Sequence, residues 1–204
     1  MLSRSAMCAT LLVLGGAPLA VSISLAPRDA GAATSIELGM ADLVGTSTLV
    51  VAGTPLDSRS LWEGDASTHG RRIVTYTRVR VDRLLDGAPQ AEVWVRTLGG
   101  EVDDIGQQVA GEAVLRLSQP LLLFLRGRTD GTHVVVGMAQ GQYPLDARPE
   151  IGAARVRLPS EAGHLLPRTV TSGAAQRSAR LVLVGHTLDE VAQLVAAERR
   201  AHAP

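Results

Sequence analysis

The sequence predicts a mainly β protein: a five- or six-stranded antiparallel OB-like Greek-key barrel with a short N-terminal helix and a C-terminal helix. Three observations carry this. Residues 71–85, RRIVTYTRVRVDRLL, keep an unbroken two-residue rhythm, with β-branched Ile73, Thr75, Thr77, Val79 and Val81 on one face and Tyr76, Arg78, Arg80 and Asp82 on the other. Short apolar stretches recur at turn-punctuated spacing, as in small barrels and sandwiches. The chain also closes on an amphipathic segment with a capping box, Thr187 and Glu190, and an apolar stripe of Leu188, Val191, Leu194 and Val195. An immunoglobulin-like sandwich is the competing architecture.

Taken in order, the chain opens with Arg4, an apolar run over residues 8–25, and an A-x-A site at residues 30–32. That order is the secretory pattern, so residues 1–33 are expected to be a signal peptide and residues 34–204 one barrel domain. An earlier site at residues 20–22 is an alternative. A retained anchor is the competing reading, but Gly15, Gly16 and Pro18 interrupt a run already short of the ~20 residues that span a bilayer. The expected location is secreted or periplasmic, with no membrane association after cleavage. The one cysteine, Cys8, lies inside the leader, so the mature domain has no thiol and must be held by its core.

Ile36, Met40, Leu43 and Val44 stand at helical spacing, and Thr34 with Glu37 suggests a capping box for a short helix. Residues 46–55 read as a buried strand, and residues 56–70 as a loop or a ragged extension of it. After the 71–85 strand, Asp86 and Gly87 supply a reversal, and Val93, Val95 and Thr97 alternate with Glu92, Trp94 and Arg96 in the returning strand. Residues 99–111, rich in glycine and acid, are expected to cross from one side of the sheet to the other. Residues 114–117 and 121–125 are apolar pieces separated by a turn at Pro120, and LLLFL reads as a strand buried on both faces. Asp130 and Gly131 mark a hairpin whose return, residues 133–145, contains Gly137 and Gly141 and so a bulge or bend. Residues 154–158 suggest another strand and residues 181–184 a short apolar piece, before the C-terminal helix from Leu188 to about Ala201.

Composition excludes several partners. All 20 basic residues are arginine, a pattern that coding bias explains before function does. Without the leader, 18 Arg face 19 Asp plus Glu, a net charge of −1, and the aromatic side chains are Trp62, Trp94, Tyr76, Tyr143 and Phe124. Nucleic acid, which demands a basic stripe and aromatic platforms, is not an expected partner. There is no H-E-x-x-H, G-x-S-x-G, P-loop or G-x-G-x-x-G, and no mature thiol, so no catalytic residue, metal site or cofactor is assigned. His69, His133, His164, His186 and His202 are scattered singly. The local concentration of carboxylates is Glu101, Asp103 and Asp104 in a glycine-flanked loop; it is the candidate binding site, with calcium or an acid-base pair as the chemistry and a solvated loop as the plainer reading. Trp62 and Trp94 are expected to pack.

The succession ADLVGTSTLVVAGTP, IVTYTRVRVDRLLDG, EVWVRTLGGEV, LLLFLRG and HVVVGMAQGQYPL resembles a group of uncharacterised secreted bacterial proteins. More distantly it is similar to the netrin-like barrel of tissue inhibitors of metalloproteinases. The resemblance spans residues 36–145 and implies an OB-type five-stranded Greek key with helices beside it. Those inhibitors chelate the protease zinc through an N-terminal cysteine, which this mature chain lacks, so only the fold carries over. The functional expectation is a non-catalytic exported binding or accessory module, with a protein partner in the envelope or outside the cell, such as an exported protease that it regulates. The alternatives are a structural envelope protein and a small exported hydrolase.

Overall fold

The computed structural model describes residues 35–64, 70–146, 153–159, 165–166 and 177–202, all within a compact unit spanning Gly31–Pro204. The proposed signal peptide and His69 and His164 lie outside the described residues. No helix among those described is long and apolar enough to cross a membrane.

In chain order the elements are β1 (Ser35–Ile36), α1 (Met40–Thr46), β2 (Leu49–Glu63), β3 (Arg72–Asp86), β4 (Glu92–Leu98), β5 (Gly100–Val102), β6 (Ile105–Gln107), β7 (Leu121–Gly127) and β8 (His133–Val135). A 3-10 turn (Met138–Gly141), β9 (Gln142–Asp146), β10 (Arg155–Val156), β11 (Leu165–Leu166), α2 (Ala179–Leu183) and α3 (Leu188–Ala201) follow. The main sheet runs β10-β9-β7-β2-β3-β4-β8, and an additional β7–β8 pairing returns β8 to β7. Strands β7, β2, β3, β4 and β8 therefore form a closed five-stranded OB-like barrel, with β9 and β10 as an extension. Closure removes the free edges that an open sheet would expose. Four of the five barrel pairings are antiparallel; the seam, Val95 beside His133, is parallel.

The barrel works because β7 is apolar on both sides. Leu121, Leu123 and Leu125 point into the barrel with Leu49, Val51, Val79, Val93, Val95 and Val135. Leu122 and Phe124 point outward into a second core with Val50, Tyr143 and residues of all three helices. Phe124 meets Tyr143 edge-on, centroids 6.3 Å apart. Burial in this layer raises the Tyr143 pKa. The C-terminal helix is a buttress over this outer layer. Its capping box forms as the sequence implies, Thr187 N–H donating to Glu190 Oε2 (2.7 Å) and Glu190 N–H to Thr187 Oγ1 (3.4 Å), and the first of these holds the Glu190 carboxyl below its usual range. At its far end Arg199 donates to Asp86 (2.6 Å) and to the Ser47 carbonyl (2.7 Å), tying α3 to β3 and to the end of α1.

Several local expectations are corrected. Helix α1 begins at Met40 with Gly39 as its cap, and Asp42, not Glu37, returns to the cap N–H (3.2 Å). Glu37 instead pairs with Arg180 (2.6 Å) and accepts from Ser178, while Ser35–Ile36 lies parallel to Leu165–Leu166. Strand β2 runs 15 residues, because register shifts near Val50, Ala52 and Pro55 let one strand bend through the barrel wall and stay paired with β3. Residues 133–145 are two strands, not one: Gly137 at φ +65° and the 3-10 turn break them where a Cβ at Gly137 would overlap Leu38. Residues 181–184 fall mostly in α2, and residues 114–117 are not a strand.

Candidate functional site

The inner faces of β3 and β4 change character along their length. Where Val79 faces Val93 the barrel is packed and apolar; one step on, Ser58, Thr77 and Val95 form a row, and beyond that Ser60, Thr75 and Thr97. The alternation that puts Val79 inside must also put Thr77 and Thr75 inside, because the side-chain period is two. Ser58, Thr75, Thr77 and Thr97 line a cavity of about 390 Å³ at the barrel mouth, roofed by Gly99 and Gly100 and by residues 107–115. That is a volume typical of small-ligand sites, which run from roughly 300 Å³ upward.

Glycine makes the roof possible. Gly99 (φ +89°) and Gly100 (φ +131°) occupy the left-handed side of conformational space, and a Cβ on Gly100 would overlap the hydroxyls of Thr75 and Ser60. Thr75 Oγ1 donates to the Gly99 carbonyl (2.7 Å), so the Ser60 hydroxyl at 2.9 Å must donate to Thr75. Gln107 Oε1 accepts from Ile73 N–H at 2.6 Å, pinning the far end of the β5–β6 hairpin to β3. From there residues 108–115 run without regular structure, anchored by Ala113 in the barrel core and by Gln142 Nε2 donating to the Val114 carbonyl (2.7 Å).

Within this framework the Thr77 hydroxyl stands apart. Thr77 is 2% exposed and lines the cavity, and its hydroxyl, which makes no hydrogen bond to the described residues, opens onto that space instead of being sealed in the core. Water or a ligand in the cavity can therefore complete it. Thr97 makes only a long contact, 3.4 Å, to the Thr75 carbonyl. Among the described residues the ionisable side chain lining the cavity is Glu112, one of whose oxygens, Oε1, accepts from Ala113 N–H (3.0 Å), and no described arginine or histidine lines it. The described lining supplies hydrogen-bonding groups and one negative charge.

The sequence-derived candidates Glu101, Asp103 and Asp104 sit on the β5–β6 hairpin beside this mouth. Glu101 is on β5 next to Gly100, and Asp103 (φ +54°) and Asp104 make the exposed turn. No group of three His, Asp or Glu side chains among the described residues converges as a metal cage. The three carboxylates contribute negative charge near the cavity without lining it.

Two other polar groups are structural. Arg96, 8% exposed on the outer barrel face, donates to both oxygens of Glu63 (2.5–3.1 Å), which also accepts from the Tyr76 hydroxyl. The Arg96 hydrogen bonds hold the Glu63 carboxyl below its usual range, and the Glu63 bond raises the Tyr76 phenol. His133, at the barrel seam, is buried with Nδ1 unpartnered among the described residues, and desolvation pushes its pKa down. The tryptophans depart from the packing expectation. Trp94 is 44% exposed on the outer face, and partly exposed Trp62 carries the Arg71 guanidinium 4.7 Å above its ring.

Sequence reasoning missed the hydroxyl cavity. Its signal was present in Thr75 and Thr77 on the face assigned to packing; threonine fits the strand pattern as well as valine does, so periodicity alone does not separate them. No protein-family model and no curated protein matches this chain.

Proposed function

We propose that this protein is an exported, non-catalytic binding module whose ligand or partner group enters the mouth of the barrel. The observation behind this reading is the cavity itself: preformed, roofed by glycines, and lined by the Thr75, Thr77 and Thr97 hydroxyls. A concave space of that volume with convergent polar groups is the usual form of a binding site. The leader-like N-terminus supports export, and the netrin-like order of elements suggests an exported protease as the protein regulated.

The test is site-specific photocrosslinking in the producing cell. A photoreactive residue at Val114, exposed on the cavity rim, should trap a discrete exported partner, while one at Leu181, exposed on α2, should not. Equal labelling at both positions, or none at Val114, would overturn the reading.

A further inference from the structure

We propose that the barrel mouth is a site for a primary alkylammonium group, the chemistry of a lysine side chain or a small free amine. This rests on the binding reading above and specifies its ligand. Among the described residues the cavity lining holds one charge, the Glu112 carboxylate, and no cation, and the adjoining hairpin adds Glu101, Asp103 and Asp104 beside it. A cation is therefore favoured and an anion opposed.

The donor count selects ammonium over guanidinium. The acceptors of the lining stand on three separate segments, Glu112 in the roof, Thr77 on β3 and Ser58 on β2, an array that suits three divergent donors better than the planar fork of a guanidinium. An ammonium presents three separate donors and no acceptor. The lining can meet them with Glu112, with the Thr77 hydroxyl that opens onto the cavity, and with the hydroxyl of solvent-exposed Ser58. The apolar part of the wall, Leu98, Val109 and Leu115, suits a methylene stem. No lysine exists in the chain, so no lysine of its own can fill the site.

The experiment uses the purified exported protein with its threonine methyls labelled for NMR, titrated at pH 7 with n-butylammonium, n-butylguanidinium, n-butanol and butyrate. Saturable shifts at Thr75, Thr77 and Thr97 are expected for n-butylammonium, with about tenfold tighter binding than n-butanol, the ratio of one good charge-assisted hydrogen bond. Glu112→Gln should bring that ratio close to one, and Thr77→Val should weaken the ammonium severalfold with the melting temperature preserved. Acetyl-Gly-Lys-Gly-amide separates the sources: its binding supports a partner's lysine, and binding of n-butylammonium alone supports a free amine. Equal affinity for n-butanol and n-butylammonium, or preference for guanidinium, would overturn the ammonium assignment and leave the binding module intact. If no probe moves the threonine methyls, the assignment falls while a Val114 cross-link still stands; without that cross-link, both fall.

Discussion

The two ends of one barrel interior differ although the same strands build them. Around Val79 and Val93 the inward side chains are apolar and packed, whereas Thr75, Thr77 and Thr97, inward on the same strands, border open space. Pairing of β3 with β4 is continuous across the boundary, while β2 carries a register shift there, between Pro55 and Asp57. The difference lies in what meets the strands from the other side. Leu121, Leu123 and Leu125 of β7 fill the first end, but β7 pairs with β2 only from Leu49 to Gly53, and past that point only the glycine-rich roof remains. A barrel whose fifth wall is short keeps its core at one end and a vessel at the other.

That contrast can be broken at either end. Leu123→Ala, at a fully buried site in the packed half, should cost the most, about 2–5 kcal/mol of unfolding free energy in a denaturant titration, since the cavity it leaves cannot collapse against β2. Gly100→Ala should destabilise by on the order of 2 kcal/mol through its backbone conformation alone, and should also displace the Thr75 and Ser60 hydroxyls, seen as altered threonine methyl shifts. Val79→Thr places a hydroxyl in the packed half without a partner and is expected to cost about 1–3 kcal/mol. Its mirror, Thr77→Val, removes a hydroxyl that opens onto the cavity at nearly constant volume and should be neutral or stabilising by up to about 1 kcal/mol. If Thr77→Val destabilised as much as Val79→Thr, the two ends would not differ as described.

The β4–β8 seam should show in the pH dependence. His133 is held neutral by burial, with a folded pKa below its reference of 6.5, so the unfolded chain takes up the proton first. Its contribution is present above that reference value and is lost as pH falls toward the folded pKa. Melting temperature should decline below about pH 6.5 in the native protein, and His133→Gln should flatten that part of the profile. An unchanged slope in the variant would locate the acid sensitivity elsewhere, as in the carboxylate of Glu63, whose lowered pKa acts at more acid pH.

By itself the sequence determined what depends on neighbours along the chain. The period-two face of β3, the Asp86–Gly87 reversal, the doubly apolar β7 and the capped helix α3 are all legible because backbone preference and amphipathic spacing are local. Only the tertiary structure decided which inward face would be core and which would be cavity. Thr77 and Val79 obey the same alternation, and what distinguishes them is whether a side chain from β7, some 40 residues later, arrives opposite. The acidic hairpin is the same kind of case: Glu101, Asp103 and Asp104 read as a site of their own until pairing of β5 with β6 set them beside Gly100 and the mouth. Burial and adjacency are properties of the closed barrel, because solvent is excluded only when distant strands meet.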